Sequence, residues 1–450
     1  MSALAAVVVA AACTLAGGRL RGLLARPGED RLYRLAMQLV AGLVALYAGL
    51  LALDALGVPW NPLSLGALLA LVAAAARLAS RGAPAPPAAR LRFGWGDAVA
   101  ALCLAAVAVA AWKTWIVSPD FIFHWGIKGW KFHLARGIDF EFLTTPWSWP
   151  HHVDYPWLFP GLFAATAAVA GGFREPAMML WTAVCFAALL AAAREVLRRA
   201  GASPFARQST MAILAASSAA FGIGFLTAGS PDWVLALVPL AAWPAFLGPP
   251  GRAGDLRVGI AAALASGAKV EGLAMAAFLV ALYFLWRGPG RCRALPALAA
   301  PSLLVVVPWL VQGLRHGLFA ASHRGAFDLG HAAVIVPALG QALGVAAWHG
   351  APLALLLLPA LFFVRGARPA AALVALQLLF YLYVYFASPY PTAAELDFYV
   401  RSSFSRLAFH LMPTVLVACG IALDRWLGPG AKAQNAAVSP APQISPKGLE

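Results

Sequence analysis

The chain has 450 residues, of which 62% are hydrophobic and only 11% are charged, whereas an ordinary soluble domain is about 25% charged. A globule in water cannot hide this much apolar surface, so the composition excludes a soluble domain and indicates a protein embedded in a bilayer. The formal net charge of +15 comes from basic residues in short loops between apolar runs, which is typical of cytoplasmic loops and not of a nucleic-acid-binding surface.

Apolar runs of the length needed to cross a bilayer as helices recur along the whole chain. The sequence therefore predicts an all-α polytopic membrane protein with about 11–14 transmembrane helices. Two further apolar segments, 156–171 and 332–347, are short and interrupted, and the sequence leaves open whether they cross. The predicted spans are 3–17, 35–56, 62–79, 97–116, 176–194, 209–228, 231–247, 257–268, 272–286, 295–314, 350–364, 369–388 and 404–424.

The basic loops set the predicted orientation and the division of the chain. Placing them in the cytoplasm puts the large polar loop 117–155 on the outer face, provided that 156–171 and 332–347 do not cross. Residues 1–95 are predicted to form N-terminal transmembrane helices and a basic inner linker. Residues 96–427 form the transmembrane core, and the Pro/Ala/Ser-rich tail 428–450 is expected to be disordered in the cytoplasm.

The start of the chain and its cysteines carry little chemistry. No basic residue precedes the first apolar run, so we expect a retained helix and not a cleaved signal peptide. The five cysteines form no close pair, so neither a disulfide framework nor a zinc site is indicated.

The outer loop 117–155 concentrates polar and aromatic side chains. If it is helical, Asp120, His124 and Lys128 lie on one face, an arrangement that suits a general base beside a phosphate-binding group. A solvated charged helix face without a catalytic role would show the same pattern of residues. The loop and its edges also hold seven of the 16 tryptophans, as either an aromatic belt at the headgroup level or a platform for a sugar or a lipid head.

His151, His152 and Asp154 stand together near the end of this loop. Adjacent histidines point in different directions and no third ligand spacing is visible, so no metal site is predicted. No cofactor is assigned, although the sequence leaves a divalent cation open.

Four charged residues further along the chain lie at membrane depth or at its boundary, where ionisable side chains are expensive and usually functional. Asp232 could instead cap a helix. Lys269 and Glu271 could form a structural ion pair. Arg406 and His410 stand one turn apart near the outer end of the last span, where Arg406 could extend to the interface as an ordinary snorkelling arginine.

Four short motifs, in this order, resemble those of a bacterial family of GT-C-type glycosyltransferases over roughly residues 95–425. The family commonly has Thr-Lys-Asn-Glu-Gly and Tyr-Ala-Asp where this chain has its last two motifs, so the polar contact of the missing Asn is in doubt. The motifs are Asp120-x4-Trp125-x2-Lys128, His152-x-Asp154-Tyr155-Pro156, Gly229-Ser230-Pro231-Asp232 and Ala268-Lys269-Val270-Glu271-Gly272, followed by a final helix with Arg406.

The resemblance implies a GT-C-like enzyme with a large first catalytic outer loop, in the bacterial inner membrane, with its active site facing the periplasm or cell exterior. It implies a polyprenyl-phosphate-linked sugar as donor, a glycan, lipid or protein as acceptor, contact with membrane lipid and none with nucleic acid. Asp120 and Asp154 would be catalytic. The expected contacts with substrate and phosphate are His124, Lys128, His152, Tyr155, Asp232, Lys269, Glu271 and Arg406.

Two other classes fit parts of the pattern. A transporter or flippase of a lipid-linked glycan would also carry buried charges, although we find no repeat between the halves. An O-antigen ligase-like or polymerase-like enzyme would place its Arg/His-bearing outer loop late in the chain, and 315–331 carries such residues. A third possible class is a non-catalytic scaffold whose site has lost its activity.

Overall fold

The structure is a computed structural model that describes residues 4–80, 86–224, 228–288, 291–319, 325–347, 352–390 and 392–427. Over these residues the chain folds into helices joined by turns and loops, and the described part contains no β-strand. The longer helices are α1 Ala5–Gly18, α2 Arg31–Ala55, α3 Pro62–Ala79, α4 Trp95–Thr114, α5 Gly126–Ala135, α6 Leu158–Ala170, α7 Trp181–Arg199, α8 Pro204–Gly224, α9 Asp232–Phe246, α10 Arg252–Ala268, α11 Val270–Trp286, α12 Leu295–Arg315, α13 Ala332–Ala347, α14 Arg368–Phe386 and α15 Ala393–Leu427.

Seven helical segments in the described ranges are long and apolar enough to cross a membrane. Shorter apolar helices of 10–17 residues lie among them, including α1, α6, α9 and α11. The all-helical, apolar character predicted from composition is therefore confirmed. The seven segments are Arg31–Ala55, Pro62–Ala79, Trp95–Val117, Glu175–Arg199, Arg291–Arg315, Arg368–Phe386 and Ala393–Leu427.

Two predicted boundaries near the C-terminal end are wrong. The span predicted over 350–364 is broken where it is described, into a 3-10 segment Pro352–Leu357 and a four-residue helix Leu358–Leu361. Pro359 stands at the start of that short helix, where its missing N–H cannot extend the turn before it. The loop predicted over 389–402 is largely helical, because α15 begins at Ala393 and runs for 35 residues.

Helix α9 forms the centre of the bundle. All fifteen of its residues are buried, and α7, α10 and α15 pack around it. A helix that is apolar on every side belongs inside a large protein or a membrane bundle, so the protein itself surrounds α9. This helix matters for function because its first residue is Asp232.

Glycines let neighbouring helices approach closely at two further interfaces. A Cβ on Gly42 would come within 2.0 Å of the carbonyl oxygen of Cys13, where α2 crosses α1. A Cβ on Gly259 would come within 2.2 Å of the carbonyl oxygen of Ala297, between α10 and α12. Small residues at such crossings are a common way to pack helices in a bilayer, where dispersion contacts replace the hydrophobic effect between helices.

One end of the bundle is held by buried ion pairs, and we call it the basic end. Glu29 is fully buried, and it accepts hydrogen bonds from Arg199 at 3.0 Å and from Arg257 at 2.6 Å. Arg194 donates to Asp30 at 2.8 Å. Several of the arginines that the sequence placed in cytoplasmic loops are therefore partnered side chains that join α2, α7 and α10 to the chain before α2.

The opposite end of the bundle holds the candidate site. Helix α10 has Arg257 in its second turn at the basic end and is followed by Lys269, so these residues are about 18 Å apart along the helix axis at 1.5 Å per residue.

Helix α6, which covers the short predicted segment 156–171, has 13 residues and is mostly buried. At about 20 Å it is shorter than a hydrocarbon core of about 30 Å.

Candidate functional site

The centre of the site is Asp232, the first residue of α9, which is fully buried. Its Oδ1 accepts from the Nζ of Lys269 at 2.8 Å and lies 2.9 Å from the Nε2 of His410. Its Oδ2 accepts from the Nε of Arg406 at 3.2 Å and from the Oγ of Ser230 at 3.0 Å. A buried carboxylate must be paired and hydrogen-bonded to stay charged, and Asp232 is satisfied on both oxygens.

Arg406 joins Asp232 to Asp120. Its Nη1 donates to the Oδ1 of Asp120 at 2.9 Å, and its Nη2 donates to the other oxygen of the same carboxylate. This two-pronged pairing is the geometry in which Arg binds carboxylate or phosphate most strongly. The structure therefore brings together four of the residues singled out in the sequence, which with His410 we call the ion cluster: Asp120, Asp232, Lys269, Arg406 and His410.

Access to the ion cluster differs from one member to the next. The side chain of Arg406 is 29% exposed and that of Asp120 is 12% exposed, while Lys269 is at 6% and Asp232 at 0%. A ligand entering from outside would therefore meet the guanidinium and the carboxylate of the Arg406–Asp120 pair first. Lys269 and Asp232 lie deeper in the bundle than this pair.

The backbone on either side of Asp232 is fixed by its neighbours. Gly229 has φ +74° and its N–H donates to the Oγ1 of Thr182 at 2.8 Å. A Cβ at Gly229 would lie 2.6 Å from the Sδ of Met179 and 2.9 Å from the ring of Phe121. Glycine suits this turn for two reasons: the left-handed conformation and the lack of space.

Lys269 reaches Asp232 because helix α10 ends at Ala268. It is an extended residue, with φ −153° and ψ 164°, between the end of α10 and the start of α11. Gly272 lets α11 pack back closely, since a Cβ there would meet the carbonyl oxygen of Ala265 at 2.0 Å. Helix breaks at membrane depth are tolerated where the freed backbone lines a site inside the protein.

Glu271 stands beside the ion cluster. Its carboxylate is 4.0 Å from the Nζ of Lys269, and its carbonyl oxygen accepts from Gln377 at 3.1 Å. The negative charge of Glu271 also helps to raise the pKa of Tyr155, after the larger effect of burial. Tyr155 is therefore close enough to Glu271 for its pKa to respond to that charge.

The loop 117–155, which is predicted to lie on the outer face, carries a second group, which we call the loop cluster: His124, Lys128, His152, Asp154 and Tyr155. The ring of His152 lies between those of His124 and Tyr155, at centroid distances of 4.7 and 4.6 Å. Lys128 donates to the carbonyl oxygen of His152 at 2.9 Å. His152 has φ 51°, a strained conformation for a residue other than glycine, of the kind that persists where the surroundings impose it.

The segment in which the sequence places Asp120, His124 and Lys128 on one helical face is helical, with one wider turn. Residues Phe121–Trp125 form one π-helical turn before α5. Lys128 is fully buried and its ammonium lies 4.5 Å from the centre of the Trp125 ring. Asp120 pairs with Arg406.

Burial sets the protonation of the loop cluster. It lowers the pKa of Lys128 to about 7, although the charge of Asp154 acts in the opposite direction. It lowers the pKa of His124 to about 4, a shift that Asp120 opposes and Lys128 and Arg406 reinforce. His124 is therefore neutral at pH 7, and the half-buried Asp154 is close enough to Lys128 to influence its charge.

Two residues of the network were not among the predicted contacts with substrate and phosphate. The Nδ1 of His410 is 2.8 Å from the hydroxyl of Tyr381. Because the carboxylate of Asp232 only accepts, the Nε2 of His410 carries the proton and its Nδ1 accepts from Tyr381. His410 is indicated by the sequence, since it stands one turn after Arg406 in the last predicted span, whereas Tyr381 lies in an apolar run without a signal.

The late outer loop does not reach the ion cluster where it is described. The ring of His316 stacks on that of Phe140 at 3.9 Å, and His331 lies 3.8 Å from Asp328. His323 and Arg324 lie outside the described residues. Within the described ranges, no three His, Cys, Asp or Glu side chains come together in a way that could hold a metal ion.

No protein-family model matches the chain, and neither the curated proteins nor the solved structures contain a match.

Proposed function

We propose that the protein is an integral membrane glycosyltransferase that moves a sugar from a polyprenyl-phosphate donor to a glycan, lipid or protein acceptor. The observation that carries this proposal is the meeting of Asp120, Asp232, Lys269 and Arg406, which come from four distant parts of the chain. Charges buried in a membrane bundle are expensive and typically mark a substrate site. This cluster combines a base with cations, as lipid-phosphate chemistry requires.

The finer architecture belongs to the same proposal. The protein has a GT-C-like fold with about 11–14 transmembrane helices and lies in the bacterial inner membrane. Its catalytic outer loop and ion cluster face the periplasm or cell exterior, and the basic end faces the cytoplasm. The excess of arginine at the opposite end from Asp120 supports this orientation, because cytoplasmic ends carry the positive charge.

The pairing of Arg406 with Asp120 suggests how donor binding prepares the base. A guanidinium binds phosphate with the same two-pronged geometry as carboxylate. A donor phosphate that pairs with Arg406 would therefore displace Asp120. The freed carboxylate could then accept the proton of an acceptor hydroxyl.

The transfer step follows as a single displacement. The acceptor oxygen forms a bond to the anomeric carbon while the bond from that carbon to the phosphate oxygen breaks, and the acceptor proton passes to Asp120. The leaving polyprenyl phosphate gains negative charge, which Arg406 and Lys269 stabilise. Attack from the face opposite the phosphate inverts the anomeric centre. Asp154 and Tyr155 would contact the sugar or acceptor from the outer loop.

The test is sugar transfer by the purified protein in proteoliposomes supplied with polyprenyl-phosphate-linked sugars from the source membranes. Asp120→Asn should lower the rate by at least about 100-fold, the lower range for loss of a general base. The control is Asp139→Asn in the same outer loop, where Asp139 caps a short helix by accepting from Phe142 at 2.8 Å. Asn caps equally well, so this variant should stay active.

Full activity of Asp120→Asn would remove Asp120 from the mechanism. If the wild-type protein moves the intact lipid-linked glycan across the bilayer without cleaving it, the flippase class is correct and the transferase proposal fails.

A further inference from the structure

A groove that opens to the outside of the bundle is separate from the ion cluster. It has a volume of about 540 Å³ and lies between α1, α2, α4 and α7, which is within the usual size of ligand sites. Small side chains from all four helices leave the space open: Ala11, Ala36, Ala101, Ala187 and Ala191. Leucines such as Leu35 and Leu104 form its walls.

The groove has the depth of one leaflet. It begins at Phe93 and Arg194 at the basic end, and on α7 it extends to Val184. Ten residues of helix correspond to about 15 Å, which is half of a hydrocarbon core of about 30 Å. An acyl chain of a lipid in the leaflet at the basic end would fill this length, whereas a ligand spanning the membrane would extend beyond it.

The polar rim of the groove is basic. Arg194 closes the groove and is paired with Asp30 and Asp97, so its own charge is balanced. Arg31 and Arg92 are exposed and stand next in the sequence to the lining residues Leu32 and Phe93. The carbonyl oxygen of Arg92 accepts from the Nη2 of Arg194, which places Arg92 at the rim beside Phe93. A Lys or Arg near the headgroups contributes about 1 kcal/mol to binding an anionic lipid.

We infer that this groove is a binding site for one anionic glycerophospholipid of the leaflet at the basic end. Its acyl chains lie in the groove between α1, α2, α4 and α7, and its phosphate headgroup contacts Arg31 and Arg92. The inference does not depend on the proposed transferase activity, because no member of the ion cluster lines the groove.

The experiment is native mass spectrometry of the purified full-length protein, titrated in detergent with palmitoyl-oleoyl phosphatidylglycerol or with the phosphatidylcholine of the same chains. The wild-type protein should retain phosphatidylglycerol more strongly. Arg92→Gln should weaken its binding about fivefold, the equivalent of one basic contact. The matched control is Arg77→Gln, which removes an equally exposed charge that does not adjoin the groove.

A second pair of variants tests whether the acyl chains occupy the groove. Ala101 lines the groove, and Ala106 is equally exposed on the same helix but does not line it. Ala101→Phe should abolish phosphatidylglycerol retention and Ala106→Phe should leave it unchanged, while thermal unfolding shows that both variants are folded. Equal retention of the two lipids, equal effects of the two phenylalanines, or stronger retention of polyprenyl phosphate than of phosphatidylglycerol would overturn the inference.

Discussion

Asp232 holds the ion cluster together because it has no access to water and two cations depend on it. Removing one partner of a buried ion pair leaves an uncompensated charge, which typically destabilises a protein by about 3–5 kcal/mol. Asp232→Ala should therefore lower the unfolding temperature in detergent strongly. Asp397→Ala removes a carboxylate whose partner Arg401 is 49% exposed, and such surface pairs contribute about 0–1 kcal/mol. Equal effects of the two substitutions would contradict the burial of Asp232.

His124 makes stability depend on pH. Its pKa in the folded protein is about 4, against about 6.5 in an unfolded chain. Between these values the unfolded chain binds the proton and the folded protein does not, so acidification from pH 6.5 to 4 favours unfolding. We expect the wild-type unfolding temperature to fall more steeply over this interval than that of His124→Gln. Parallel curves would show that His124 titrates normally in the folded protein.

At the residue scale, the sequence was a good guide to which charged residues belong to the site. It was a poor guide to how those residues pair with one another. Asp232, Lys269 and Arg406 could be selected because an ionisable group within an apolar run is costly. Their contacts could not be predicted, because the partners lie far apart in the chain. Lys128 could not be told from an exposed phosphate ligand, because its burial against Trp125 depends on tertiary packing.

The turn that enters α9 positions Asp232, and Gly229 is its tightest point. Gly229→Ala should destabilise the protein by about 1–2 kcal/mol for the left-handed conformation and about 1–3 kcal/mol more for crowding against Met179 and Phe121. Gly171→Ala is the matched control, because Gly171 has φ +75° but nothing within 4 Å of its Cβ position. Thermal unfolding of both variants separates the two effects, and equal losses would mean that the turn relaxes without strain.

Helix identity was easier to predict than helix ends. The long apolar runs of α2, α4 and α14 were predicted to within a few residues, because lipid requires helices of a fixed length. Segment 350–364 failed because Pro359 interrupts its helix, and α15 was predicted too short because its first turns are polar enough to be taken for a loop.

The whole molecule separates its charges between two ends. The basic end holds the arginine pairs around Glu29, and the other end holds the ion cluster about 18 Å further along α10. Composition predicted the excess of arginine, but only the packing of α2, α7 and α10 shows that many of these side chains are buried and paired. The sidedness of the two ends stays a prediction that labelling can test.

Two exposed positions report on the two ends. Cys292 is exposed in the segment after α11, at the basic end, and Trp147 is 85% exposed in the outer loop. In intact cells a membrane-impermeant maleimide should label Trp147→Cys but not Cys292, and in inverted vesicles the result should reverse. Labelling of Cys292 from outside would mean that the basic end faces the exterior.

The central claim is that charges from distant parts of the chain work as one catalytic site, and a double-mutant cycle of Asp120 and Arg406 tests it most directly. Sugar-transfer rates would be measured for the wild-type protein, Asp120→Asn, Arg406→Gln and the double variant. Residues that act as a unit have strongly non-additive effects, so the double variant should be no slower than the slower single variant. Losses that multiply, or an active single variant, would contradict the claim.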